Sequence, residues 1–313
     1  NFLDEDGGVH ADLTISRLGD TKYRVVTGGA DGNRDWVTLR NYRDDNNLDA
    51  EITIRTHDIA TLGLWGPKAE EALGNFVDAD EISLENFPFV TAKNLTLNLS
   101  GGKTIDVWAA RISYVGESGW EIYLNNNSDE GLALYDSLLE VGVIPVGIET
   151  YANSRRLEKS FRLQGADLET EYNACEAAIQ RPLVKEADFH GKAAHLKHRE
   201  EDPCAILCTM TVDDLNVSGV PRYPVGISPI VDPSSGEVPV DSKGRRSYTT
   251  GMSYCPSIKE FVVMGYLPAE IAKEGQKLAI EYFNEDGDGV YPITVKIVGK
   301  GSLYDPENKK VRS

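Results

Sequence analysis

Three short segments of this 313-residue chain place the residue types of a small-molecule site beside glycines that free the backbone. In Gly7-Gly8-Val9-His10-Ala11-Asp12-Leu13-Thr14, a glycine pair runs into a strand carrying one carboxylate, Asp12, among apolar neighbours. In the stretch from Arg111 to Ile122, Gly116 and Gly119 bracket Glu117 and let the backbone approach a ligand, while Glu121 sits on the strand that follows. Tyr114 and Trp120 add aromatic surface to that turn. The third segment, Arg155 to Leu168, offers Arg156 beside Arg155. Carboxylates of this kind accept from N–H groups or stabilise a nearby positive charge, and arginine takes carboxylates through two parallel hydrogen bonds. Each residue also has a plainer role open to it. Asp12 fits a structurally paired strand carboxylate, Glu117 and Glu121 an exposed turn, and Arg156 a surface arginine.

Short elements must position these residues. Leu13 and Ile15, Tyr23 and Val25, and Ile52 and Ile54 alternate with polar neighbours and predict strands. Gly66-Pro67 opens a helix over Lys68 to Leu73, with Gly74 as its stop. Leu95, Leu97 and Leu99 predict a strand, and Ile105 and Val107 another after the Gly101-Gly102 turn. Ser128 begins a helix whose apolar positions Leu132, Tyr135 and Leu139 have helical spacing, ended by Gly142. Glu149 to Lys159 reads as helical, and the charged run His195 to Asp202 as a boundary. Beyond Pro203 the grain changes to short β-rich segments, among them Phe261 to Tyr266, Leu278 to Phe283 and Ile293 to Val298. The pattern predicts an α+β chain. Residues 1–200 form α/β subdomains, and residues 201–313 a compact C-terminal β-barrel.

Composition narrows the partners. With 32 basic and 50 acidic residues the net charge is -18, so nucleic acid and anionic membrane are disfavoured. No apolar run approaches the roughly 18 residues of a membrane span, and Asn1-Phe2-Leu3-Asp4 lacks the pattern of a signal peptide. The four cysteines, without Cys-x-x-Cys spacing, suit reduced thiols in a cytoplasm or a mitochondrial matrix. Strand alternation predicts Cys204, Ile206, Cys208 and Met210 on one core-facing side, free of metal. Asn284 to Gly289 imitates the start of a calcium loop, but its twelfth position is Val295, so a hairpin turn is expected. His190, His195 and His198 have no Cys or carboxylate to complete a zinc set, and no Gly-x-Gly-x-x-Gly signature for a dinucleotide is present.

In their order and spacing the three segments resemble the aminomethyltransferase family. They are similar to its Gly-Gly-x-x-x-Asp-Leu strand, its Tyr-x-Gly-Glu-x-Gly-x-Glu turn, and its Arg-Leu-Glu helix followed by Gly-x-Asp-Leu. Lys185 to Lys192 resembles the family's Lys-x-x-Asp-Phe-x-Gly-Lys/Arg stretch, and Tyr248 to Ser253 with Leu303 to Pro306 its closing barrel. Ser113 to Glu117 and Arg156 to Lys159 look most like the tetrahydrofolate-binding region of dimethylglycine and sarcosine dehydrogenases. The resemblance extends over nearly the whole chain. It departs from the family at Tyr151-Ala152-Asn153, where Ala-Arg-Asp is usual, and at Asn173-Ala174-Cys175-Glu176, which keeps only the carboxylate of Thr-Pro-x-Glu. Family members normally carry several dozen residues before the Gly-Gly strand, so a fragment, a processed product or a split subunit is expected.

The resemblance implies two interleaved folate-binding subdomains within residues 1–200, and tetrahydrofolate as the cofactor. It implies Asp12 as the catalytic carboxylate, near the reacting folate nitrogens. Glu121, with Glu117 as second candidate, takes the pterin edge, and Tyr114 and Trp120 wall the site. Arg156 contacts folate or anchors a pocket carboxylate. The implied activity is transfer of a one-carbon unit from an N-methylated amine, or its iminium, to folate. The partners are then a small methyl donor and a flavoprotein chain or domain. A folate-dependent O- or S-demethylase and a non-catalytic folate-binding or assembly protein are the alternatives.

Overall fold

The computed structural model describes residues 1–126, 128–215, 227–284 and 287–312. Two compact units divide the chain. One comprises residues 1–15, 25–28 and 149–306, the other residues 16–24, 29–148 and 307–313.

The second unit is organised by a four-stranded antiparallel sheet ordered Ile59–Trp65, Gly119–Asn125, Thr104–Ala110, Ala92–Asn98. Period-two alternation sends Leu95, Leu97, Ile105, Val107, Trp120, Ile122 and Leu124 to one face, where they form a continuous core. The helices Ala69–Leu73 and Ser128–Glu140 lay Leu73, Leu134 and Leu138 on that core. Each such fully buried aliphatic side chain stabilises the unit by about 1.5–3 kcal/mol. Gly101 and Gly102 turn the chain between two strands with φ of 77° and 79°, a region costly for residues with a Cβ.

Two expectations for this part of the chain are corrected, and one helix was not foreseen. In the helix Ser128–Glu140, Leu132, Tyr135 and Leu139 remain exposed while Leu134 and Leu138 are buried, because two apolar stripes share the helix and packing selects the other one. Ile52 and Ile54 lie outside any strand, and the pairing begins at Ile59. A polar helix at Gly32–Asp45 has no apolar stripe to announce it; Asp35 is its buried residue, held by Arg34 at 3.0 Å.

In the other unit, six antiparallel strands run in the order Ile230–Val231, Lys277–Asn284, Gly287–Val298, Ala205–Val212, Glu260–Pro268, Thr249–Cys255. The sheet curls until its ends meet. Pro229 bridges Tyr248, and Thr249 N donates to Ser228 O at 2.9 Å. The inner strands are covered on both sides. Ala205, Leu207, Val262 and Met264 join one core cluster, and Cys208, Met210 and Val263 another. The expectation of one apolar face on the strand through Cys208 is therefore too narrow, and Cys204, just before that strand, is only half-buried. Asn284 pairs with Gly287 as the two long strands turn, while Glu285 and Asp286 of the calcium-like stretch lie outside the described residues. The expected helical stretch takes the form of a wide π-type turn, Thr150–Arg155, continued by Arg156–Glu158. The charged run read as a boundary belongs to a helix, Lys192–Glu200. The architecture is thus mixed α/β with strands predominating. No helix among the described residues is long and apolar enough to cross a membrane.

Candidate functional site

The strand Gly119–Asn125 presents Glu121 and Tyr123 on the side opposite its core residues Trp120 and Ile122. Entry into the strand depends on Gly119. Its φ is 151°, and a Cβ there would come within 2.0 Å of the Leu64 carbonyl. Beneath the preceding turn, the buried Arg111 guanidinium donates to the carbonyls of Ile82 and Phe87 at 3.0 and 3.1 Å and stacks on Trp120 at 4.9 Å. Gly116, with φ of 77°, donates its N–H to Ser113 Oγ at 3.1 Å. Tyr114 and Glu117 are half-buried on this turn.

Around Glu121 the surroundings are aromatic. Tyr123 donates its hydroxyl to Glu121 Oε2. Gly63 lies opposite Glu121 in the sheet, and the Trp65 ring fills the space a Gly63 Cβ would occupy. Trp108 lies opposite Tyr123, their rings 5.0 Å apart. Burial raises the Glu121 pKa above the ordinary carboxylate value, opposed by the Tyr123 hydrogen bond. A half-buried acceptor between aromatic faces suits a flat heterocycle with an N–H edge. Trp120, expected as a wall, is corrected: it is 0% exposed and packs in the core, because neighbouring strand residues point to opposite faces. Tyr123 stands one strand period beyond Glu121 and could have been found by that rule; Trp65 and Trp108 required the strand register.

Asp12 follows the strand Val9–Ala11, whose Val9 and Ala11 are buried. The two glycines before it have separate reasons. Gly7 has φ of 80°, and a Cβ on Gly8 would sit 2.2 Å from the Thr170 carbonyl. Gly8 bridges Asn173 and Val9 N donates to Tyr172 O at 3.1 Å, which fixes the strand that ends at Asp12. Asp12 keeps solvent contact and accepts from Asn1 Nδ2 at 2.9 Å. Desolvation by the surrounding fold raises its pKa, with the hydrogen bond from the Asn1 side-chain amide opposing. A carboxylate so placed is available to a positive charge nearby.

Arg156 stands differently. It is 1% exposed and pairs with the equally buried Asp167, while its Nε donates to Ala152 O at 2.9 Å and Nη1 to Phe161 O at 3.1 Å. Gly251 leaves room for this guanidinium; a Cβ would lie 2.5 Å from Nη2. Asp167 also accepts from Leu163 N at 2.9 Å and from the Thr250 hydroxyl. Of the two roles expected for Arg156, the geometry contains the anchored carboxylate, and a folate contact is corrected because this enclosed guanidinium is already engaged. Beside it, Glu158 accepts from Arg155 at 2.7 Å and from Ser257 N at 2.8 Å. Glu176 pairs with Arg245, a partner 69 residues away that no local spacing announces.

The site residues therefore fall in both units: Asp12 and Arg156 in one, Tyr114, Glu117, Trp120 and Glu121 in the other. No cluster of three or more metal-ligating side chains occurs among the described residues.

The family described as the GCVT N-terminal domain matches residues 1–186. Among curated proteins, the chain is 29% identical over 303 residues to the mitochondrial dimethylglycine dehydrogenase of Homo sapiens, covering 94% of this chain and 32% of that protein. It is 32% identical over 286 residues to an aminomethyltransferase of Symbiobacterium thermophilum, covering 88% of this chain and 69% of the relative. The chain thus spans about a third of the length of the dimethylglycine dehydrogenases it matches. Among solved structures, the glycine cleavage system aminomethyltransferase T from Bartonella henselae superposes with a TM-score of 0.70 at 22% identity, covering 94% of this chain and 73% of the other, which shows a shared fold. With that domain matching more than half of this chain, and with an aminomethyltransferase covered over two thirds of its length at 32% identity, the chain belongs to the aminomethyltransferase family.

Proposed function

We propose that this chain binds tetrahydrofolate and hands it a one-carbon unit from an N-methylated amine or derived iminium, as a module or subunit of a demethylating enzyme. Glu121 carries the reading. It is a half-buried carboxylate on the family's Gly-x-Glu turn, held by Tyr123 among aromatic rings, and it fits the N–H edge of a pterin. Bound tetrahydrofolate would supply the nucleophilic nitrogens that accept the one-carbon unit. Glu121 would hold the pterin edge, with Glu117 and Tyr114 on the turn beside it. Asp12, its strand locked by Gly8, would stabilise the positive charge that develops as the unit is captured. Arg156 and Asp167 would keep the scaffold of their own unit rigid.

Oxidation of the donor is assigned to a flavoprotein chain or domain, in keeping with similarity to proteins named dimethylglycine dehydrogenase. A cytoplasm or a mitochondrial matrix suits this chemistry. The test is calorimetric titration of tetrahydrofolate into the purified chain and into Glu121→Gln. Saturable binding that weakens about tenfold in the variant is expected; absence of binding to the parent chain would reject the reading. In the assembled system the folate product identifies the donor chemistry. Methylene-folate marks an N-methyl donor after oxidation, and methyl-folate marks direct transfer from oxygen or sulfur.

A further inference from the structure

The sheet face that carries Glu121 also holds a cation. Arg24, on the strand Tyr23–Val26, lays its guanidinium carbon 4.3 Å from the centre of the Trp108 ring and 5.6 Å from that of Tyr123. These are the rings that pack together beside Glu121, so acid, aromatic pair and arginine lie in sequence along one surface. Stacking satisfies the face of a guanidinium and leaves its N–H edge in need of acceptors. Arg24 Nη1 is enclosed, and among the described residues it has no hydrogen-bond partner. Burial lowers the Arg24 pKa; the Tyr123 hydroxyl opposes that shift, and Arg55 is near enough to add to it. An arginine nevertheless stays charged. Arg55 is paired with Asp58 at 2.6 Å, so Arg24 is the cation that this face offers an anion, in a chain whose net charge of -18 would otherwise repel one.

We propose that Arg24 receives a carboxylate of the molecule bound at the Glu121 face. The surface then reads two features at once: an N–H edge through Glu121 and an anionic group through the free edge of Arg24. This inference rests on the proposed function only in taking the Glu121 face as a ligand site. The carboxylate can come from the glutamate tail of the folate or from an N-methylated amino acid serving as donor.

Calorimetry on the purified chain separates these sources with four probes. Tetrahydrofolate is compared with 6-methyltetrahydropterin, which lacks the tail, and N,N-dimethylglycine with its methyl ester. Arg24→Gln is expected to weaken one carboxylate probe by about 10-fold and to leave its carboxylate-free counterpart unchanged. The probe affected names the source. Arg24→Lys, which keeps the charge but loses the planar fork, is expected to fall between parent and Gln variant and also serves if Arg24→Gln fails to fold. Equal binding of every probe by parent and variants overturns the inference, as does an equal loss for probes with and without a carboxylate; in both cases the folate reading stands. A parent chain that binds neither pterin probe but binds dimethylglycine in an Arg24-dependent way rejects the folate reading alone. Failure of all four probes to bind rejects both.

Discussion

In the unit of Arg156 the carboxylates Asp167, Glu158 and Glu176 are buried and paired, whereas on the Glu121 face the charged side chains are half-buried and incompletely matched. Arg156 meets Asp167, Arg155 meets Glu158, and Arg245 meets Glu176, with backbone carbonyls and amides filling further valences. Glu121 has the Tyr123 hydroxyl, and Arg24 an aromatic seat with one enclosed N–H group left over. Two motifs that look alike in a sequence therefore do different work. A satisfied, dry ion pair has no capacity left for a ligand and rigidifies its surroundings. A partly desolvated acid or base with spare hydrogen-bonding capacity has been positioned at a cost in stability that a ligand can offset.

The sharpest way to break this comparison is to unpair the Arg156 region. Arg156→Ala leaves the Asp167 carboxylate buried without its cation, and a loss of about 3–5 kcal/mol is expected in urea unfolding. An unchanged midpoint would mean that the pair is no scaffold. Asp12→Asn tests the opposite kind of residue. In the complete demethylating system its turnover should fall on the order of 100-fold, or about 2.7 kcal/mol, while folate affinity changes little, because the lost interaction strengthens as charge develops. Parental turnover with retained folate binding would make Asp12 structural. Glu121→Gln should weaken tetrahydrofolate by about 10-fold, or about 1.4 kcal/mol, with the unfolding midpoint nearly unchanged. If stability falls instead and affinity does not, the Glu121 face belongs with the scaffold.

The sequence made some of this legible and hid the rest for physical reasons. Gly8 and Gly119 mark places where another backbone passes too close for a Cβ, and such glycines stand out in the chain. The strands of Leu95 and Ile105 were readable because one face is apolar and the other polar. The role of Arg156 turned on burial, which a charged residue does not declare. Trp120 is adjacent to Glu121 in sequence, but on a strand adjacent residues face opposite sides, so its ring lies in the core. Trp108 and Arg24 reach the Glu121 face only through tertiary pairing, and Arg245 finds Glu176 across a long separation. The helix Ser128–Glu140 offered two apolar stripes, and its sequence had no means of choosing between them.

The smallest expected effect separates the two regions by titration. Burial raises the Glu121 pKa in the folded chain, so the folded state holds its proton to a higher pH than the unfolded state does. Where the folded state binds more protons, stability falls as pH rises. The contribution of Glu121 is thus fully present below its unfolded pKa and is lost as pH climbs through the raised folded value. Urea unfolding of the parent chain, followed upward from the ordinary carboxylate range, should show this decline, and Glu121→Gln should remove that part of the slope. Subtracting the two curves isolates Glu121 from the many other acidic groups. Tyr123→Phe deletes the hydroxyl that favours the ionised carboxylate, so the folded pKa should rise further and the decline should extend to higher pH. The pH at which folate binding first strengthens should move in the same direction, since binding uses the ionised form. If Tyr123→Phe shifts neither limb, the hydroxyl does not control the charge of Glu121, and the contrast with the paired carboxylates around Arg156 loses its electrostatic basis.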